Sequence, residues 1–293
     1  MSEIERVGVV GAGLMGAGIA EVCARSGCDV LVVEQNRDAV ELGSRRLLGS
    51  LDRAVRSGKL TTAEREQAAW RLRWSTDLGD LADRQLVVEA VGEDEQLKTD
   101  VVGTVCKVLT DRDAVIASNT SSIPIMKLAT ATDRPGNVVG LHFFNPVPVM
   151  PLVEVVGSLT TSPRTRDRVE SFVTRRLGKQ TIRATDRAGF VVNALLVPYL
   201  LAAVRMVESG TATAADVDAG MRLGCAHPMG PLELCDLIGL DTVTAIAESM
   251  YAEYHEPLYA PPPLLRRMVE AGLYGRKTGR GFHPYPSKKE EAA

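Results

Sequence analysis

Apolar residues gather along this chain in short solid runs: Val7–Val10, Val30–Val33, Leu86–Val91, Ala114–Ala117, Val138–His142 and Leu152–Val156. A run of that length without alternation is the pattern of a strand buried on both faces. Between the first two runs, Gly13–Ser26 has helical character and stops at Gly27. The first 34 residues therefore spell strand, helix, strand. Asp38–Ser57 reads as a long amphipathic helix closed by Gly58. Thr61-Thr62-Ala63-Glu64 reads as a further helix start, a hydroxyl before an acidic first turn. A proline-rich turn splits the last two strands. Strands alternating with helices predict an open α/β sheet with helices on both faces.

From Gly189 the pattern changes. Helical segments are predicted over 190–209, 213–224, 230–253 and 262–271, with no strand. The domain boundary falls near Asp186 to Gly189, giving a first domain over 1–186 and a second over 187–293. In the second, Phe190–Met206 is apolar on nearly every face, and Pro198 is expected to kink it. A helix apolar all round must be buried all round, and a small domain buries only part of its surface by itself. A homodimer joined through the helical domain is the expected solution. Ser287–Ala293 mixes both charge signs and reads as a frayed end.

Composition narrows the function classes. The chain has 293 residues, with 45% apolar and 24% charged, an ordinary globular balance. Net charge is −3, so there is no basic footprint for nucleic acid. The five cysteines, Cys23, Cys28, Cys106, Cys225 and Cys235, are odd in number and contain no CxxC pair. They read as reduced thiols of a cytoplasmic protein, not as disulfides or a metal site. The start, Met-Ser-Glu-Ile-Glu-Arg, is charged and does not read as a secretory leader. Phe190–Val204 is too short and too polar for a membrane span.

Gly11-Ala12-Gly13-Leu14-Met15-Gly16 is GxGxxG between a predicted strand and a predicted helix. Gly11 permits the tight turn, Gly13 lets the backbone approach a pyrophosphate, and Gly16 lets helix and sheet pack closely. The helix start offers free N–H groups to phosphate. Glu34 ends the second strand, 18 positions after Gly16. Its carboxylate can accept from an adenosine ribose and repels a 2′-phosphate, so NAD is favoured, with neighbouring Arg37 keeping NADP as the alternative. The fold class is then a Rossmann-type doubly wound sheet domain followed by a smaller all-helical C-terminal domain.

His142 closes a strand, where a parallel sheet opens its ligand crevice. Glu154 lies twelve residues on, in a strand that the turn Pro146–Pro151 can return alongside. A carboxylate beside an imidazole orients the ring and stabilises its protonated form. Taken alone, a single histidine is more often a core residue.

Seven segments together resemble the 3-hydroxyacyl-CoA dehydrogenases, particularly the bacterial 3-hydroxybutyryl-CoA type. They are Val87–Val91, Ala117–Ser122, Gly140–Pro148, Leu152–Val156, Gly189–Asn193, His227–Pro231 and Lys277–Phe282. The resemblance implies interconversion of 3-hydroxyacyl-CoA and 3-oxoacyl-CoA with NAD, within fatty acid metabolism, by a dimeric enzyme. It implies that His142 and Glu154 are the catalytic pair and that Ser121 and Asn193 contact the reacting oxygen. Glu93, Lys98, Ser121, Asn145 and Lys277 fall at its cofactor positions, and Ser50, with Arg56 or Lys59, at its CoA positions. Plainer readings stand beside these. Ser121 can be a helix cap, Asn193 a helix–helix hydrogen bond, Asn145 a turn residue before Pro146. Glu93 and Lys98 can be a solvated helix start, Lys277 a surface lysine, and the basic residues of 38–57 a mixed-charge face. The competing functions are a related dehydrogenase acting on a free or carrier-protein-bound hydroxy acid, and an inactive nucleotide-binding protein.

Overall fold

The computed structural model describes residues 3–285. The expected frayed end at Ser287–Ala293 lies outside the described residues. The chain divides into two compact units, Met1–Arg187 and Ala188–Ala293.

The first unit opens with β1 (Arg6–Val10), α1 (Leu14–Arg25) and β2 (Asp29–Val33). It continues through α2 (Arg37–Arg56), α3 (Thr62–Trp70), β3 (Leu72–Ser75), β4 (Leu86–Glu89) and α4 (Glu95–Val108). It ends with β5 (Val115–Ser118), α5 (Ile125–Thr130), β6 (Val138–Phe143), β7 (Leu152–Gly157), α6 (Pro163–Ser171) and β8 (Gln180–Thr185). The strands form one sheet in the order β3-β2-β1-β4-β5-β6-β7-β8. All ladders are parallel except β6 with β7. The winding direction reverses between β1 and β4, so the segments that follow these strands diverge and leave a crevice at the carboxyl edge. The solid apolar runs behave as expected: β4, β5 and β6 are buried along their whole length. Thr61 and Glu64 form the predicted capping box at the start of α3.

Two strands are additions to the expected set. β3 and β8 are the edges of the sheet, and both are half-exposed. An edge strand need not bury two faces, so Gln-Thr-Ile-Arg-Ala-Thr carries no apolar run to read.

The second unit contains α7 (Val192–Glu208), α8 (Ala214–Cys225), α9 (Pro231–Ile238), α10 (Leu240–Tyr254) and α11 (Pro263–Glu270). Leu200, Leu201, Leu232, Leu240, Met250 and Leu265 are fully buried at its centre. The single helix expected over 230–253 is two, because Gly239 takes φ 104° between α9 and α10. α7 runs unbroken through Pro198. Within the single chain it is covered only in part, as expected of so apolar a helix in a small domain: Leu195 is 75% exposed, Met206 43% and Val191 38%. With exposed Ala202 these residues recur at helical spacing and form one bare apolar stripe.

Two buried carboxylates fasten the last segment of this unit. Asp236 accepts from the backbone N–H of Phe282 and His283, and Asp218 lies 2.7 Å from His283 Nε2 while capping the start of α9 through Leu232 N–H. All five cysteines are free thiols. Among the described residues no helix is long and apolar enough to cross a membrane, and no cluster has the makings of a metal site.

Candidate active site

The glycine loop follows β1 at the crevice. Gly11 takes φ 93°, and a Cβ there would meet the Ala90 carbonyl oxygen at 2.8 Å. A Cβ on Gly16 would run into the Gly11 carbonyl. Gly13 differs: nothing lies within 4 Å of its Cβ position, and it begins α1 without a side-chain cap. The open space therefore sits beside the unspent N–H groups of a helix start, which fits a dinucleotide pyrophosphate. The peptide of Ala12 is held from both ends. Its N–H donates to Glu34 Oε1 at 2.5 Å, and its carbonyl accepts from Arg46 Nη1 at 2.7 Å. Arg46 was legible only as part of a mixed-charge helix face; its contact with the loop comes from packing. Leu14 is exposed and Met15 half-buried at the start of α1, and Arg37 is exposed at the first turn of α2.

His142 and Glu154 are register partners across the one antiparallel ladder, so their side chains leave the same face of the sheet. His142 Nδ1 lies 2.6 Å from Glu154 Oε2, and its Nε2 lies 3.1 Å from Ser121 Oγ. Glu154 is fully buried and His142 is 5% exposed. The Phe144 ring packs edge-on against the imidazole at 4.7 Å. Hydroxyl, imidazole and carboxylate thus stand in series. A buried carboxylate on one ring nitrogen fixes the tautomer and leaves the other nitrogen to exchange a proton with a hydroxyl.

The Ser121 segment hangs from Glu93. Glu93 Oε1 accepts from Thr120 Oγ1 at 2.6 Å, Ser121 N–H at 2.9 Å and Ser122 N–H at 3.1 Å. Burial works against its charge, but Lys98 and the hydrogen bonds from Thr120, Ser121 and Ser122 together outweigh that, so its pKa falls below the usual carboxylate value. Lys98 is not part of a solvated helix start. Its Nζ is enclosed by Glu89 Oε1 at 2.8 Å, the Val91 carbonyl at 3.2 Å and Glu93 Oε2 at 3.3 Å. Glu89 also accepts from Ser118 Oγ at 2.6 Å. This network draws on residues that sequence reasoning passed over, Glu89 and Ser118, both at the carboxyl ends of central strands. An acidic residue closing an apolar run was the available signal.

Asn145 is exposed, and its side chain makes no hydrogen bond among the described residues. The segment after His142 is fastened by other side chains. Asn119 Oδ1 accepts from Phe143 N–H at 2.9 Å, and Lys179 Nζ donates to the Val147 and Met150 carbonyls at 2.7 Å each. In the helical unit, Asn193 lies in the first turn of α7, 9% exposed, and among the described residues no hydrogen bond ties its amide to another helix. Lys277 Nζ is paired with Asp241 on α10. Ser50 is half-buried on α2, Arg56 is exposed at its last residue, and Lys59 lines a cavity of about 310 Å³ with Arg25, Arg71 and Lys179.

Comparison with known proteins agrees across the chain. Residues 6–187 match the NAD-binding domain of 3-hydroxyacyl-CoA dehydrogenase, and residues 189–285 match its C-terminal domain. A 3-hydroxybutyryl-CoA dehydrogenase of Mycobacterium tuberculosis is 58% identical over 282 residues, covering 96% of this chain and 99% of that protein. The crystal structure of M. tuberculosis FadB2 superposes with a TM-score of 0.96 at 58% identity, over 97% of this chain and 100% of that one. That of (S)-3-hydroxybutyryl-CoA dehydrogenase PaaH1 from Ralstonia eutropha gives 0.92 at 44% identity, over 97% and 100%.

Proposed function

The chain belongs to the 3-hydroxyacyl-CoA dehydrogenase family, and from that premise we propose that it interconverts a short (S)-3-hydroxyacyl-CoA, 3-hydroxybutyryl-CoA in the first instance, with the 3-oxoacyl-CoA. The observation that carries the reading is the series Ser121 Oγ, His142, Glu154, with contacts of 3.1 and 2.6 Å at the carboxyl edge of the sheet. The short acyl chain is taken from the relatives, whose names specify 3-hydroxybutyryl-CoA.

NAD held by the glycine loop and Glu34 would supply the acceptor for the hydride of C3. The remaining work is the protein's own. Glu154 accepts a hydrogen bond from the Nδ1–H of His142, which fixes that tautomer and leaves the Nε2 lone pair toward the substrate hydroxyl. The hydroxyl proton passes to Nε2 as the C–H bond breaks, and the imidazolium is stabilised by the buried carboxylate. Ser121 marks the place of the reacting oxygen, and its hydroxyl donates to that oxygen as it becomes a carbonyl. The family resemblance gives Asn193 as a second donor to that oxygen. Gly11 to Gly16 hold the pyrophosphate, and Glu34 takes the adenosine ribose in place of the Ala12 N–H. Glu93, positioned by Lys98, and Lys277, released from Asp241, serve the cofactor. Ser50 with Arg56 or Lys59 serves CoA. The same reading places the enzyme in fatty acid metabolism in the cytoplasm, where free thiols persist. It makes the enzyme a homodimer through the bare stripe of α7.

The experiment is NADH absorbance with acetoacetyl-CoA, free acetoacetate and an acetoacetyl carrier protein in parallel. Turnover with the CoA thioester at least a hundred-fold above the other two is expected. Comparable rates with the free acid would replace this substrate by a hydroxy acid, and no turnover with any would leave a nucleotide-binding protein.

A further inference from the structure

Away from the crevice, a cavity of about 160 Å³ opens where α6 runs into the π-helical turn Phe172–Arg176. Ile4, on the approach to β1, forms part of its wall. The cavity thus lies beside the amino end of β1, and the glycine loop lies at the other end. Its polar lining residues are Arg168, Arg175, Arg176, Ser171 and Glu3. Arg168 is only 7% exposed. It spends Nη1 on the Asp113 carbonyl, and its Nε and Nη2 have no acceptor among the described residues. Arg176 spends Nη2 on the Gly27 carbonyl and likewise leaves Nε without one.

Asp111 acts on Arg168 through its charge, and the other nearby carboxylates are engaged elsewhere. Asp167 and Glu170 of α6 pair with Arg183 at 3.0 and 2.6 Å, and Asp113 pairs with Arg164 at 2.7 Å. One carboxylate, exposed Glu3, stands at the cavity against three cations. Burial lowers the pKa of Arg168 by more than the charges of Asp111 and Asp113 raise it. Buried charges are ordinarily paired, and buried N–H groups ordinarily find acceptors. π-Helical turns inside α-helices also concentrate at functional sites.

We propose that this cavity is an oxyanion site that takes a phosphate group, free or as a small phosphomonoester. Planar guanidinium forks match phosphate oxygens, and the volume admits a phosphate but not a nucleotide. Entry needs a small rotation of Arg168 to turn its unspent N–H groups inward. The site is independent of the catalytic reading, since its readout is not turnover.

The test is calorimetric titration of inorganic phosphate, and separately of glycerol 3-phosphate, into protein saturated with NADH and CoA at ionic strength fixed with chloride. One saturable site per chain is expected for at least one of the two ligands, weakened ten-fold or more in Arg168→Gln and Arg175→Gln. Arg175 is exposed, so Arg175→Gln is expected to keep the fold and the turnover number, and it decides the matter if Arg168→Gln does not fold. Absence of saturable binding of either ligand, or equal binding by wild type and Arg175→Gln, overturns the proposal.

Discussion

Lys98 meets Glu89 at 2.8 Å with both side chains 1% exposed, and the same ammonium reaches Glu93 at 3.3 Å. One cation therefore serves two carboxylates of opposite situation. Glu89 faces inward and binds Ser118 on β5, whereas Glu93 stands at the crevice and suspends the Ser121 segment. The pair transmits the position of two central strands to the hydroxyl beside His142. Removing one partner of a buried ion pair leaves an uncompensated charge, at a cost of about 3–5 kcal/mol. Lys98→Met is expected to lose that much in urea unfolding. A loss under about 1 kcal/mol would mean that Glu89 is held by Ser118 and the Val91 N–H alone.

Glu93 gives the site a pH dependence of known sign. Its native pKa lies below the ordinary 4.5. On acidification the unfolded chain takes up the proton first, so the stabilisation is complete above the ordinary value and is lost as pH falls through the native one. Glu93→Gln removes this contribution. The urea midpoint of wild type is expected to exceed that of Glu93→Gln at pH 7, and the gap is expected to close steadily below about pH 4.5. A gap independent of pH would assign the effect to hydrogen bonds, without charge.

The legible parts of this protein are those where one face or one spacing decides. The buried runs gave β1, β2 and β4 to β7 because both faces of each are covered, and the GxGxxG spacing gave the loop. β3 and β8 escaped because an edge strand answers to a single neighbour. The break at Gly239 escaped because the apolar pattern of α9 continues in phase into α10, and only φ separates them. At the site, His142 and Glu154 were readable as two strands joined by a turn. The side chains that fix their surroundings, Asn119, Glu89 and Lys179, were not, since each acts across a sequence separation that no local pattern records.

Two of the loop glycines, Gly13 and Gly16, are expected to separate folding from cofactor binding. Gly13 has φ −60° and open space at its Cβ position, so Gly13→Ala is expected to unfold within about 0.5 kcal/mol of wild type. The added methyl stands where the pyrophosphate approaches, so NAD affinity is expected to fall ten-fold or more. Gly16→Ala meets the Gly11 carbonyl and is expected to lose about 1–3 kcal/mol of stability. Fluorescence titration with NADH and urea unfolding check both. Unchanged affinity in a folded Gly13→Ala would place the cofactor elsewhere.

The catalytic pair is expected to divide its effects differently. His142→Ala removes the proton acceptor and is expected to lower kcat by about 10²–10⁴. Glu154→Gln keeps the shape but favours the wrong tautomer, and is expected to lower kcat strongly as well. Both are expected to leave the NADH dissociation constant within about two-fold, because the glycine loop follows β1, three strands across the sheet from β6. Near-normal kcat in His142→Ala would remove the histidine from the mechanism.

The exposed stripe of α7 sets up the test of assembly. Val191, Leu195, Ala202 and Met206 lie along one helical face, and Leu195 leaves 75% of its surface in water. A lone exposed leucine is unremarkable, but four apolar positions in register on a helix suit the helix–helix contact of the proposed dimer. A two-fold axis lets the stripe pair with its own copy, each leucine packing beside the partner's helix. Burial of such a side chain is worth about 1.5–3 kcal/mol, and a two-fold axis counts each contribution twice. Leu195→Glu places a carboxylate at the centre of the stripe and sets two like charges near the axis. Light scattering at low micromolar concentration is expected to give twice the 31.5 kDa chain mass for wild type and the single mass for Leu195→Glu. The monomeric variant is expected to stay folded, because an exposed position makes few contacts within its own chain. A wild type that scatters as a monomer at full activity would end the proposal. A Leu195→Glu that remains dimeric would move the interface off α7.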